Sequence, residues 1–496
     1  MKKLFLALGL ALLVLVAVVL LRTALVESKQ IQVEPVTDLT VDANAAAQRL
    51  AGAIRFPTIS HEAGAQVESE AFLGLHRYLA ESFPKAHAAL TREVVAGYSL
   101  LYTWKGRNPS LPPILLMSHM DVVPVEPGTE KAWTRPPFSG DIADGYIWGR
   151  GTLDDKIGVL GILEGIELLL GRGFTPERTV YLAFGHDEEV GGTQGAAAMA
   201  ALLAKRGVKP ELIVDEGGLI ADGMVPGHAK AVAMVSTAEK GFVSVELVAE
   251  SEGGHSSMPP RHTAIGKLAA AIRDLEENQM PSRIDGATKQ SFEYLAPEMP
   301  FGTRMVLANL WLFGPVAESQ FAAEPASNAR IRTTTAATVF QAGIKENVLP
   351  SRARAVVNFR ILPGDTVEGV LAHVRETVGP EIKVAKTGIF GNEASPQSDA
   401  EAPGFAVLQR TLGEVFPGIV VAPNILSGGT DTKHYRGLSR NVYRFVPMRL
   451  GEGDISRFHG TNERVGVDNY ADAVRFYAQL VRNTAGPQVR PEAPQL

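Results

Sequence analysis

Metal-type side chains recur where the apolar runs of this 496-residue chain stop. TVYLAF ends in Gly185-His186 and three consecutive acids, Asp187, Glu188 and Glu189. ILLM ends in Ser118-His119-Met120-Asp121, and ELIV ends in Asp215-Glu216. Asp154-Asp155 in GRGTLDDK and His459 in RFHGTNE complete the set. Singly, each has an ordinary reading: acids favour the positive first turn of a helix, and Asp154 suits a helix cap. Jointly they point elsewhere, because carboxylates gathered at one edge repel one another unless a cation sits between them. Five or six oxygen and nitrogen donors, with no thiolate in a cysteine-free chain, suit one or two zinc ions, with cobalt or manganese as substitutes. The chain has no HExxH, no G-x-S-x-G elbow and no P-loop.

The elements that must carry these residues follow from the pattern. Short apolar runs alternate with helix-like stretches such as KIGVLGILEGIELLLGRG, which predicts an α/β domain with a mostly parallel sheet. In such sheets ligands bind beyond the carboxyl ends of the strands. His119 and Asp121 are two apart and share one face of an extended strand. The rhythm changes near Lys240. GFVSVELVAE alternates as a half-buried strand, TAIGKLAAAIRDLEEN is amphipathic, and a second strand–helix–strand set follows a less periodic aromatic stretch. The expected division is 1–26 signal anchor, 27–44 linker, 45–239 catalytic domain, 240–395 inserted α+β domain, 396–485 catalytic domain and 486–496 disordered tail.

Composition excludes other classes. Hydrophobic residues at 45% and charged residues at 21% are ordinary for globular domains, and a net charge of −6 without a basic run gives nucleic acid no purchase. Lys2 and Lys3 precede 18 apolar residues that end before Arg22. A spanning helix needs about 17–25 such residues, and a secretory h-region about 7–15. The expectation is an uncleaved membrane anchor with the catalytic domain outside the cytoplasm, secretion after cleavage being the alternative.

The motifs SHMDVVPV, WGRGTLDDK, GHDEEVGG, VDEGG, GGHSSMPP, ENVLP, SGGTDTKHY and FHGTNE, in that order, resemble the dizinc metallopeptidases that include glutamate carboxypeptidase, aminoacylase and carboxypeptidase S. The resemblance is closest to the branch holding carboxypeptidase S and the N-fatty-acyl-amino-acid synthase/hydrolase. It implies a ferredoxin-like inserted domain serving as lid or dimerisation surface, hence a homodimer, and two zinc ions per subunit. Asp154 would bridge the ions, with His119 and Asp215 completing one site and Glu189 and His459 the other. Asp121 would orient His119, Glu188 would act as general base, and Asp187 receives no role. His255 would stabilise the transition state. Asn347, Arg360 and the backbone of Gly428, Gly429 and Thr430 would hold substrate.

Three functions fit this resemblance. One is a carboxypeptidase or dipeptidase acting on small peptides beside a free carboxylate. Another is an amidohydrolase or synthase of N-acyl amino acids, including N-fatty-acyl ones. The third is a binding protein on a peptidase fold, which the intact ligand set disfavours.

Overall fold

The runs that end in metal-type residues are neighbouring parallel strands. In the computed structural model, which describes residues 1–62, 64–65 and 67–487, strands Val180–Gly185, Ile114–His119, Leu212–Asp215 and Val442–Arg444 lie side by side in that order. All three junctions are parallel. Ile114–His119 and Leu212–Asp215 are buried along their whole length, as expected where helices cover both faces. Thr91–Val95 and Ser99–Trp104 extend one edge antiparallel. Leu115, Met117 and Ile213 pack on one face with Met199 and Leu203 of the helix Ala196–Lys205. On the other face, Ser118 Oγ donates to Asp155, just ahead of the helix Lys156–Gly171.

Two glycines are required by close approach. A Cβ on Gly218 would stand 2.1 Å from the Met234 carbonyl oxygen. Gly192 has φ +65°, and a Cβ there would stand 1.9 Å from an Asp431 oxygen.

The chain forms two compact units. One comprises Ser28–Thr237, Ser398–Pro423 and the chain from Thr430 onward; the other comprises Met1–Glu27, Ala238–Gln397 and Asn424–Gly429. The second unit thus includes the N-terminal helix, which the sequence division kept apart. The stretch expected as a linker is a strap on the first unit: Gln30 Nε2 donates to the Val421 carbonyl (3.0 Å), and the Val421 amide donates to Gln30 Oε1 (2.8 Å). The side-chain amide imitates a strand partner there, which apolar periodicity does not register. From residue 488 the expected tail lies outside the described residues.

The second unit contains a four-stranded antiparallel sheet in the order Thr334–Ala342, Arg352–Ile361, Gly241–Glu250, Ile382–Asn392. With helices Ala264–Glu277 and Val367–Val378 this is the βαββαβ ferredoxin-like arrangement. Val243, Val245 and Leu247 alternate inward on one strand, and Ala355, Val357 and Phe359 on its neighbour. Leu268, Leu275, Val370 and Val374 from the helices close that core.

Leu268 is fully buried there. Leu268→Ala is expected to cost about 2–5 kcal/mol. Trp311 is the one tryptophan of four within this unit, so the urea midpoint of its fluorescence transition checks the loss.

Candidate metal centre

Asp154 stands between two histidines that the chain brings from opposite sides. Its Oδ1 lies 3.0 Å from His119 Nε2 and its Oδ2 lies 3.1 Å from His459 Nε2. Around it the donors form two groups, His119–Asp154–Glu216 and Asp154–Glu189–His459, each with ligand atoms within 4.8 Å of one another. Asp154 belongs to both. Each group offers oxygen and nitrogen donors suited to a divalent ion such as zinc. The buried Glu189 Oε1 has no hydrogen-bond partner among the described residues, as befits a cation ligand.

The electrostatics carry the mark of a site built for positive charge. Burial opposes a charge on His119, yet Glu216, Asp121 and Asp154 raise its pKa well above the ordinary value. The contacts of His459 with Asp154 and Glu189 push it up to about 10. Burial also opposes ionisation of Asp154, but the two histidines hold it lowered. Burial raises Glu188 strongly, with Asp431 and Glu189 adding to the effect and His119 opposing it.

Strand ends and turns place each donor. His119 closes its strand, and its Nδ1 lies 2.9 Å from the Asp121 carbonyl and 3.4 Å from the Asp121 carboxylate. Donation to these acceptors fixes the tautomer and leaves Nε2 for the site. Asp121 has a second task. Its Oδ1 accepts from the Glu188 amide and its Oδ2 from the Glu189 amide, both at 3.1 Å, so it sets the acidic turn. Glu188 belongs to neither donor group. Asp187 has the plain role: its carboxylate accepts from the amides of Gln194 (2.8 Å) and Gly195 (2.9 Å), just before the helix Ala196–Lys205. His459 sits at φ +56°, a left-handed conformation uncommon for a residue with a Cβ.

The structure groups Glu216, not Asp215, with His119. Glu216 follows the end of the strand Leu212–Asp215, and its Oε1 lies 3.5 Å from His119 Nε2. Thr430 is buried and its hydroxyl meets that of Thr432 at 2.7 Å. It caps the turn Asp431–His434, while Ser427, Gly428 and Gly429 are exposed in the other unit.

That unit also holds His255, Asn347 and Arg360. The strands Gly254–His255 and Val348–Leu349 pair, and the Ser256 amide donates to the Asn347 carbonyl at 3.2 Å. The Ser257 amide donates to His255 Nδ1, which leaves the proton of a neutral ring on Nε2. The Arg360 guanidinium lies 4.8 Å above the Phe242 ring.

Two residues that sequence reasoning left without a role tie the centre together. Buried Glu463 accepts the amides of Gly151 (2.9 Å) and Leu153 (2.8 Å) and pairs with Arg150 at 2.7 Å. Arg150 also donates to the His459 carbonyl at 3.1 Å. The loop before Asp154 is therefore bonded to the loop of His459. An acid and an arginine inside the quoted motifs WGRGTLDDK and FHGTNE were the only signal. Glu463→Gln weakens this fixing and is expected to lower metal affinity by about 10- to 100-fold. Competition with a chromophoric chelator measures it; an unchanged affinity would leave Glu463 a purely structural residue.

Residues 115–483 match the model of peptidase family M20/M25/M40. The chain is 44% identical to probable carboxypeptidase S-like 2 of Dictyostelium discoideum over 88% of its own length and 85% of that relative. It is 42% identical to the N-fatty-acyl-amino acid synthase/hydrolase PM20D1 of Xenopus tropicalis, over 90% and 86%. The M20 family metallo-carboxypeptidase Sso-CP2 of Sulfolobus solfataricus shares the fold at TM-score 0.63 and 20% identity, covering 89% of this chain and 99% of that one. Fold, donor groups and extended identity agree: the chain belongs to peptidase family M20/M25/M40, a family of metal-dependent hydrolases.

Proposed function

We propose that this metallopeptidase-family enzyme holds two zinc ions and hydrolyses an amide bond next to a free amino-acid carboxylate, as a carboxypeptidase or dipeptidase on small peptides. The observation that carries this reading is the pair of donor groups sharing Asp154, with Glu188 beside them and in neither. His119 and Glu216 would hold one ion, Glu189 and His459 the other, and Asp154 both. When bound, the ions would acidify water and polarise the scissile carbonyl.

The chain's own residues do the rest. Glu188 takes a proton from the attacking water as its oxygen joins the carbonyl carbon. It returns that proton to the amine nitrogen as the carbon–nitrogen bond breaks. Burial keeps its pKa raised, which suits a group that must both accept and release a proton within one cycle. Asp121 keeps Glu188 and Glu189 apart in their tasks by holding both backbone amides. In the inserted unit, the Nε2 proton of His255 is suited to an oxyanion and the Arg360 fork to a carboxylate.

A second reading, hydrolysis or synthesis of N-acyl and N-fatty-acyl amino acids, uses the same chemistry. The 42% identity to the N-fatty-acyl-amino acid synthase/hydrolase favours it. The N-terminal helix Lys2–Ala24, 23 residues long and apolar enough to cross a membrane, would be an uncleaved anchor. Lys2 and Lys3 ahead of it would keep the N-terminus in the cytoplasm and the enzyme outside.

Glu188→Gln is expected to lower turnover by about 100- to 10,000-fold. Metal analysis should find its bound zinc near that of the parent enzyme, and full activity would remove Glu188 from this role. A matched panel of dipeptides, N-acetyl amino acids and N-oleoyl amino acids, with and without chelator, decides the substrate. Chelator-sensitive release from dipeptides alone establishes the peptidase, and preference for oleoyl chains establishes the second reading. No release from any of them would reject both.

A further inference from the structure

The helices Phe301–Ala308 and Leu310–Ala323 of the inserted unit are unusually apolar for their exposure. From Met305 to Ala317 no residue is charged. Phe301 is 58% exposed, Trp311 54% and Val316 56%. The second helix is graded along its length. Its outer face carries Trp311, Pro315 and Val316 near the start, then Ser319 and Gln320. An apolar patch that ends in polar residues along one helix marks a shallow contact with another phase.

The neighbour of this patch identifies that phase. The N-terminal helix lies against it through one stripe, Leu15, Val19 and Thr23, spaced by four; Val19 and Thr23 are buried. At the junction of the two helices, Asn309 donates to the Val19 carbonyl (3.3 Å), Thr23 Oγ1 (3.1 Å) and the Met305 carbonyl (2.9 Å). Such a buried amide crossing between helices is the kind of bond that joins them where water is scarce. The other sides of the N-terminal helix remain exposed, with Leu13 at 69% and Leu21 at 59%. Asn309 meets that helix in its last two turns, the end that would emerge from a bilayer. Trp311, two residues on, then stands at the depth where tryptophan concentrates in membrane proteins.

We propose that Phe301–Ala317 is a second membrane contact, seated in the outer leaflet beside the N-terminal helix and bolted to it by Asn309. The inference rests on the reading of that helix as an anchor. The occupant is lipid: the patch is continuous with a helix of spanning length, and its one basic residue, Arg304, donates to the Met299 carbonyl at 3.1 Å.

The test uses the full chain reconstituted into phosphatidylcholine vesicles. A chain without cysteine accepts single labels cleanly. Phe301→Cys and Val316→Cys carry an environment-sensitive fluorophore, with exposed Glu368→Cys on another helix of the same unit as control. Lipids bearing a quencher on the acyl chain should quench the labels at 301 and 316 severalfold more than the control. Native Trp311 fluorescence should show the same quenching, lost in Trp311→Phe. Chain that fails to float with the vesicles defeats the anchor reading and this inference with it. Chain that floats while 301 and 316 behave like 368 overturns this inference alone. Labels shielded from water but not quenched by lipid also overturn it, since a second copy would then cover the patch.

Discussion

The two oxygens of Asp154 face different histidines, and the first unit is organised around keeping them so. A carboxylate in that position, with Glu216 and Glu189 close by, calls for positive charge beside it, and the protein brings the donors that would share it from distant parts of the chain. His119 comes from the end of a central parallel strand and His459 from a loop late in the sequence. Glu216 and Glu189 then add negative charge that the histidines alone do not offset, which is the condition for retaining divalent cations. Parallel strands that end at one edge make the convergence geometrically simple, and close contacts at Gly192 and Gly218 let the turns behind that edge approach without side chains intervening.

Around this centre the supporting contacts are as specific as the donors. Asp121 is more than a brace for His119. By accepting two consecutive amides it decides which acid of the triple faces which partner. Glu463 and Arg150 do the same for the opposite side, converting two loops into one rigid piece. Residues of this kind hold reacting groups in place without touching substrate.

The fold class and most donors were legible because they rest on periodicity and on strand ends, which leave a pattern in the residue types. Asp215 and Glu216 were not separable in that way. They are adjacent, both acidic and both at a strand end, and only the course of the chain past that end brings Glu216 within reach of His119. Glu463 and Arg150 were hidden for a different reason. Their partners are backbone groups and each other, across some 310 residues, and no local rule connects them. Thr430 was expected to offer its backbone to substrate; the task of its side chain, capping the turn Asp431–His434, depends on residues after it and leaves no mark in the motif. The anchoring of the N-terminal helix on Asn309 was likewise invisible, since an apolar helix shows composition but not which stripe is occupied.

The order of the donors along the chain bears on how the enzyme is made. His119, Asp154 and Glu216 have all left the ribosome about 240 residues before His459. At about 5–20 residues per second, that interval is some tens of seconds. During it Asp154 has one histidine neighbour and not the other, and Glu463 has not arrived to bond the loop beside it. The nascent chain therefore carries the donors of one group before it carries those of the other. The second donor group comes into being only when the segment carrying His459 and the helix Val467–Ala485 are folded onto the rest. Any chemistry that needs both donor groups must therefore wait until the segment of His459 has folded against the loop of Asp154.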